Sequence, residues 1–289
     1  MERELWTSLY DMARRLDKDW GDWKFSASDV VGAYFWAVVN DRPTSWAAKK
    51  ANWPNELCPV CLPSQSTLSR RLRRAEVQQL MTAMEQSWLA LAGVVHCLIR
   101  MIDAKPLAVS GVTKDVDAAY GRGAGGMQKG YKFYAVWSAG PLPLAWGLAG
   151  INTSEKTMAR QLIPDLPGSG YLLGDAEYDS NALYDLAQAA DHQLLAPKRQ
   201  KQHGVGHRPQ SPNRLRSIHL MNTEFGKGIF RLRRQIEQYF GNLTSFGGGL
   251  TCLPPWARRF TRVRNWVHAK LLVNAARWFR NHPDVPALA

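Results

Sequence analysis

The sequence predicts an α/β chain: a mixed-sheet domain over residues 93–289, with element order βββαβαβ and then a helix bearing Glu237, behind a helical domain over residues 1–92. Two observations carry this expectation. Apolar residues recur at helical spacing through the first ninety positions. From residue 94 they gather into short runs bounded by glycine and proline.

In the N-terminal part Leu5, Leu9, Met12 and Leu16 form one apolar stripe, and Val30, Val31, Tyr34, Phe35 and Val38 form another. Pro63 and Ser64 then start a short helix in which Arg70, Arg71, Arg73 and Arg74 follow Ser66, Thr67 and Ser69. Two readings fit that run: a recognition helix of a helix-turn-helix, with arginines for phosphates, or a solvated basic helix. A helix over Val77–Leu98 leads into the second domain.

There the apolar run Val94–Ile102 ends at Asp103. Tyr131–Trp137 and Leu142–Leu148, separated by Ala139-Gly140-Pro141, read as a hairpin. Thr153–Ile163 reads as a helix capped by Asn152 or Thr153, and Tyr171–Gly174 as a short strand ending at Asp175. A helix over Asn181–Ala190 and a strand over Gln193–Ala196 complete the order, which is that of the ribonuclease H-like fold. Residues 199–228, interrupted by Gly204, Gly206, Pro209 and Pro212, read as a basic insertion or loop. Ile229–Phe246 and Trp256–Phe279 read as helices.

The chain carries a formal net charge of +13 and a pI near 9.8, which points to a polyanion, with nucleic acid as first candidate. Residues 1–102 hold 13 basic and 11 acidic side chains, residues 103–197 hold 7 and 10, and residues 198–289 hold 17 and 3. One of those last three acids is Glu237, beside Arg231, Arg233 and Arg234. Four cysteines in a chain this long do not make a secreted disulfide framework. Cys58-Pro-Val-Cys61 has zinc-knuckle spacing but lacks a second ligand pair. No apolar run reaches membrane-spanning length, so a cytoplasmic protein is expected.

Cleavage of a phosphodiester by hydroxyl attack calls for two divalent ions, Mg²⁺ or Mn²⁺, held by carboxylates on rigid elements. Asp103 and Asp175 follow apolar runs that become adjacent strands in the expected fold, which would let them share an ion. Glu237, on a helix, can reach over the same strand edge. Glu177 is an alternative to Asp175 if its strand continues. Gly121–Gly126 precedes a strand rather than opening a helix, which argues against a nucleotide-binding loop. Trp256 and Trp266 read as packing for the terminal helix, with stacking on extruded bases as the alternative.

Met101-Ile102-Asp103-Ala104-Lys105-Pro106-Leu107 and Leu173-Gly174-Asp175-Ala176-Glu177-Tyr178-Asp179-Ser180 resemble the first two motifs of the IS4 and IS5 superfamily of insertion-sequence transposases. Phe230, Arg233, Glu237 and Thr244 stand at the spacing of the third IS4 motif, matching at Arg and Glu and departing at Tyr and Lys. The resemblance spans roughly residues 95–280. It implies metal-dependent cleavage at insertion-sequence ends and strand transfer into target DNA, with Asp103, Asp175 and Glu237 as catalytic residues and metal ligands. The implied partners are double-stranded DNA, as terminal inverted repeats and target, and a second copy of the chain in the synapse, in a bacterial, nucleoid-associated setting. Lys105, Lys129, Lys132, Lys198, Arg199, Arg208, Arg231, Arg233, Arg234, Arg258 and Arg262 join the arginines at 70–74 as expected DNA contacts.

Overall fold

The computed structural model describes residues 1–18, 23–109, 113–123, 125–199, 204, 209–245 and 249–284. They form two compact units, residues 1–92 with 243–289, and residues 93–242. Residues 243–289, expected as the end of the second domain, thus group by packing with the N-terminal helices.

The first unit is helical. In α1 (Glu2–Leu16) the predicted stripe buries Leu5, Leu9 and Met12, joined by Trp6. Helix α2 (Ala27–Val39) starts from a capping box in which Ser26 and Asp29 satisfy each other's amides, and is buried on nearly every face. The short helices α3 (Thr44–Ala47) and α4 (Gln65–Arg71) precede α5 (Ala75–Leu91). Ser64 caps α4 through the Thr67 amide. Four tryptophans close this unit: Trp36 stacks on Trp53 at 5.0 Å, and Trp6 meets Trp53 edge-on at 5.4 Å, with Trp46 behind Trp36.

The terminal helix, Phe260–Asn281, starts four residues later than expected and is buried from Val263 to Ala276 except at Arg264. Its polar groups are therefore paired inside. Asn265 donates to the Leu72 carbonyl at 2.8 Å, and the Lys270 ammonium, fully buried, reaches the Val38 carbonyl at 2.9 Å and Asp41 at 2.5 Å. Leaving any of these unpaired would cost several kcal/mol, which explains their placement.

The second unit is a mixed sheet with helices. Its strands are β1 (Ile99–Ala108), β2 (Ala119–Gly123), β3 (Gly126–Trp137), β4 (Ala145–Gly150), β5 (Gly170–Leu173) and β6 (His192–Leu195). The order is β2-β3-β1-β5-β6, with β4 also on β3. Helix α6 (Glu155–Leu162) follows β4, and α7 (Asn181–Ala189) joins β5 to β6. Apart from β2, this is the predicted βββαβαβ order of a ribonuclease H-like domain. Strand β2 pairs with the first half of β3 and β4 with its second half, so the glycine-rich stretch supplies the end of β2 and the start of β3.

One sheet face carries Ile102, Tyr134, Val136, Leu172 and Leu194 into a core with Met158 and Leu162 of α6 and Leu183, Tyr184 and Ala187 of α7. The other face meets α10 (Gln235–Thr244), where Phe240 lies edge-on to Phe133 at 6.1 Å and Tyr239 stacks on Trp137 at 5.1 Å. Between β6 and α10 come α8 (Pro212–Met221) and α9 (Glu224–Arg231). Much of the segment expected as a loop over 199–228 is therefore helical.

Candidate active site

Strand β1 does not end at Asp103 as its hydrophobic run suggested; it continues to Ala108. The pairing explains how Pro106 is tolerated. Val109 donates to the Lys129 carbonyl, so the odd residues of β1 exchange hydrogen bonds with β3 and the even ones face β5. Pairing with β5 stops at Met101↔Leu173. Pro106 thus sits where no ladder bond is due. Asp103 and Asp175 both lie two positions beyond that last parallel pair, at the notch left where β5 ends. Glycine at 174 allows the turn, since a Cβ there would meet the Tyr178 ring at 2.9 Å. The Asp175 carboxylate then accepts from the Glu177 amide at 2.8 Å and starts a turn of 3₁₀ helix.

A third carboxylate, which the sequence did not single out, closes on these two. Glu155 is the first residue of α6, capped by Ser154. One oxygen each from Asp103, Glu155 and Asp175 lie within 4.8 Å of one another. Lys132 stands 3.6 Å from Glu155 Oε1, while Glu155 Oε2 is buried with no hydrogen-bond partner. Burial pushes the Glu155 carboxyl up, as do Asp175 and Asp103, against the pull of Lys132. Burial likewise raises Asp103, aided by Asp175 and Glu237 and opposed by the Ala104 amide and Arg233.

Glu237, on α10, is 67% exposed and outside this cluster. It is tied to Asp103 through one guanidinium: Arg233 donates to Asp103 Oδ2 at 2.9 Å and lies 3.6 Å from Glu237. Arg233, expected as a phosphate contact, is therefore turned inward between two carboxylates. Glu177 is exposed, pairs with Arg199 at 3.6 Å and is not among the three clustered carboxylates.

Three anionic oxygens this close repel strongly at low dielectric. The orphaned Glu155 oxygen and an all-carboxylate donor set fit a hard divalent cation such as Mg²⁺ or Mn²⁺. Acids gathered from the middle of β1, the turn after β5 and the start of α6 define a ribonuclease H-like protein with a metal-type acidic centre. Residues 98–273, more than half of the chain, match the family model described as Transposase DDE domain, and the chain belongs to that family. No curated protein matches the sequence. Membership implies divalent metal use and a transposase-type nuclease function.

The expected DNA contacts separate into kinds. Arg70, Arg73, Arg74, Arg231 and Arg234 are exposed, and Arg73 lines a groove with Arg42, Arg262, Trp256 and Trp266. Arg71 is a correction: it is 3% exposed, donates to the Phe25 carbonyl, pairs with Glu76 at 3.2 Å and lies over the Trp23 ring. Its charge is consumed by packing. Lys132 is spent on Glu155, and Arg258 donates to the carbonyls of Pro254 and Ala257. Lys129 lies over Tyr120, and Lys105 and Lys198 are half-buried. Arg208 falls outside the described residues. Trp266 is core, whereas Trp256 is half-buried with its indole N–H unpartnered. Among the described residues no metal-type cluster includes Cys58 or Cys61, and no helix is long and apolar enough to cross a membrane.

Proposed function

We propose that the chain is a DNA transposase of insertion-sequence type in which Asp103, Asp175 and Glu237 are catalytic and hold two Mg²⁺ or Mn²⁺ ions. The observation that carries this reading is the convergence of Asp103 and Asp175 beyond the last β1–β5 pair, with Glu237 linked to Asp103 through Arg233. The ions supply activation of the attacking hydroxyl and neutralisation of the leaving oxygen. The chain's own residues bind and orient. Asp103 is held by strand pairing and Asp175 by the turn that follows β5, Glu237 approaches from the exposed side of α10, and Arg233 offsets charge between Asp103 and Glu237.

The substrates are double-stranded DNA, as terminal inverted repeats and then as target. Two copies of the chain hold two ends in a synapse, in the bacterial cytoplasm. The matching Arg233 and Glu237 of the third motif support an IS4-type assignment, and the exposed arginines on and beside α9 and α10 supply phosphate contacts.

The test is incubation of the purified chain with DNA carrying the flanking element ends and Mg²⁺. Cleaved 3′ ends and joined products are expected. Cleavage without joining would leave a nuclease of the same fold. Binding without either product would leave a DNA-binding protein descended from a transposase.

A further inference from the structure

We propose that Glu155 is a ligand of the divalent cation at this centre, sharing it with Asp103 and Asp175, and that Lys132 holds the Glu155 carboxylate when the cation is absent. The inference rests on the metal-centre part of the functional reading above and adds a residue to it.

Four observations lead there. The Glu155 oxygen belongs to the three that lie within 4.8 Å of one another, whereas Glu237 does not. Its other oxygen, Oε2, is buried and unpartnered, an arrangement costly for a carboxylate unless something binds it. The Glu155 side chain is only 19% exposed, and Lys132 stands 3.6 Å from Oε1, so the Oε2 atom is left without a cation of its own. Finally, Tyr178 is 1% exposed, its hydroxyl has no hydrogen-bond partner, and that hydroxyl lies within electrostatic range of Glu155, Asp103 and Asp175. A buried, unpartnered phenol near three carboxylates can donate to an oxygen that a bound ion leaves free, the arrangement by which metal ligands are oriented.

The experiment is calorimetric titration of the full chain with Mn²⁺, without DNA, so no catalysis enters the readout. Glu155→Gln is expected to weaken the tightest Mn²⁺ site by about tenfold or more, and Asp103→Asn to do the same. A loss smaller than about fivefold in a variant that retains its circular dichroism would overturn the proposal, as would absence of Mn²⁺ binding by the unaltered chain. Should Glu155→Gln fail to fold, Lys132→Gln decides: removal of the competing ammonium should tighten Mn²⁺ binding, and unchanged or weaker binding overturns the idea. Failure of the transposase reading looks different, namely a chain that binds Mn²⁺ through Glu155 yet leaves element-end DNA uncut.

Discussion

Asp103, Asp175 and Glu237 are separated by 72 and 62 positions; Asp103 is bound by the Ala104 amide and Arg233, Asp175 by the Glu177 amide, and Glu237 pairs with the same Arg233. Asp103→Asn, Asp175→Asn and Glu237→Gln keep shape and remove charge. Each is expected to reduce cleavage of element ends to background while DNA affinity in a gel-shift assay changes less than about twofold, because phosphate contacts dominate that affinity. Full cleavage by Glu237→Gln would remove the α10 glutamate from the mechanism. Asp179 makes a separate, structural prediction. Burial pushes its carboxyl up, but two 2.8 Å hydrogen bonds from Arg214 and one from the Arg199 amide more than offset this, holding it below its ordinary value. Asp179→Asn should cost about 3 kcal/mol at neutral pH, the scale for breaking a buried pair. Because the folded value lies below the unfolded one, near 3.9, that contribution is present above about pH 4 and is lost as pH falls through the folded value. The difference in melting temperature between the two proteins should therefore close in acid; a constant difference would assign the loss to packing instead. At this scale Glu155, Arg71 and Arg233 escaped the sequence. Ser154-Glu155 reads as an ordinary capped helix start, and an arginine's charge says nothing of whether it faces water or a buried carboxylate.

Secondary-structure elements were legible where local chemistry agreed with packing. The α1 stripe, the Ser64 cap, and strands β5 and β6 follow the predicted positions to within a residue or two. Differences arose where a partner strand or a breaker decided the outcome. Strand β1 outruns its apolar stretch because β3 pairs with it to Ala108, while β5 ends beside Met101, before Pro106 is reached. Helices α8 and α9 hid behind Pro212, Gly226 and Gly228. Yet Pro212 is a first-turn proline behind the Ser211 cap, which accepts from the Asn213 and Arg214 amides. Gly226 is required by closeness: a Cβ there would meet the Leu220 carbonyl oxygen at 1.9 Å. Backbone cannot yield as a side chain can, so Gly226→Ala should force α8 and α9 apart at a cost of about 1–3 kcal/mol. Faster amide exchange confined to residues 212–231 would show it. Exchange unchanged from the native chain would mean that the hairpin relaxes without cost.

For the whole molecule the charge distribution sets the expectation. Residues 198–289 carry 17 basic and 3 acidic side chains, and if about six phosphates are neutralised, log affinity for DNA should fall with log salt at a slope near −5. A slope near zero would show that this segment is not a DNA surface. The structure refines which charges are available, since Lys270 and Arg233 are spent inside while Arg231, Arg234 and Arg262 remain exposed. The sequence by itself determined the α/β class, the strand-helix order, the family, and Asp103 with Asp175 as neighbours, because periodicity, turn residues and spaced acidic motifs are local signals. Only the tertiary structure decided that residues 243–289 group with the first ninety-two, that Glu155 rather than Glu237 lies within the inner acidic cluster, and which arginines face water. Those outcomes depend on contacts between residues far apart in the chain, where burial and pairing, not residue type, choose the neighbour.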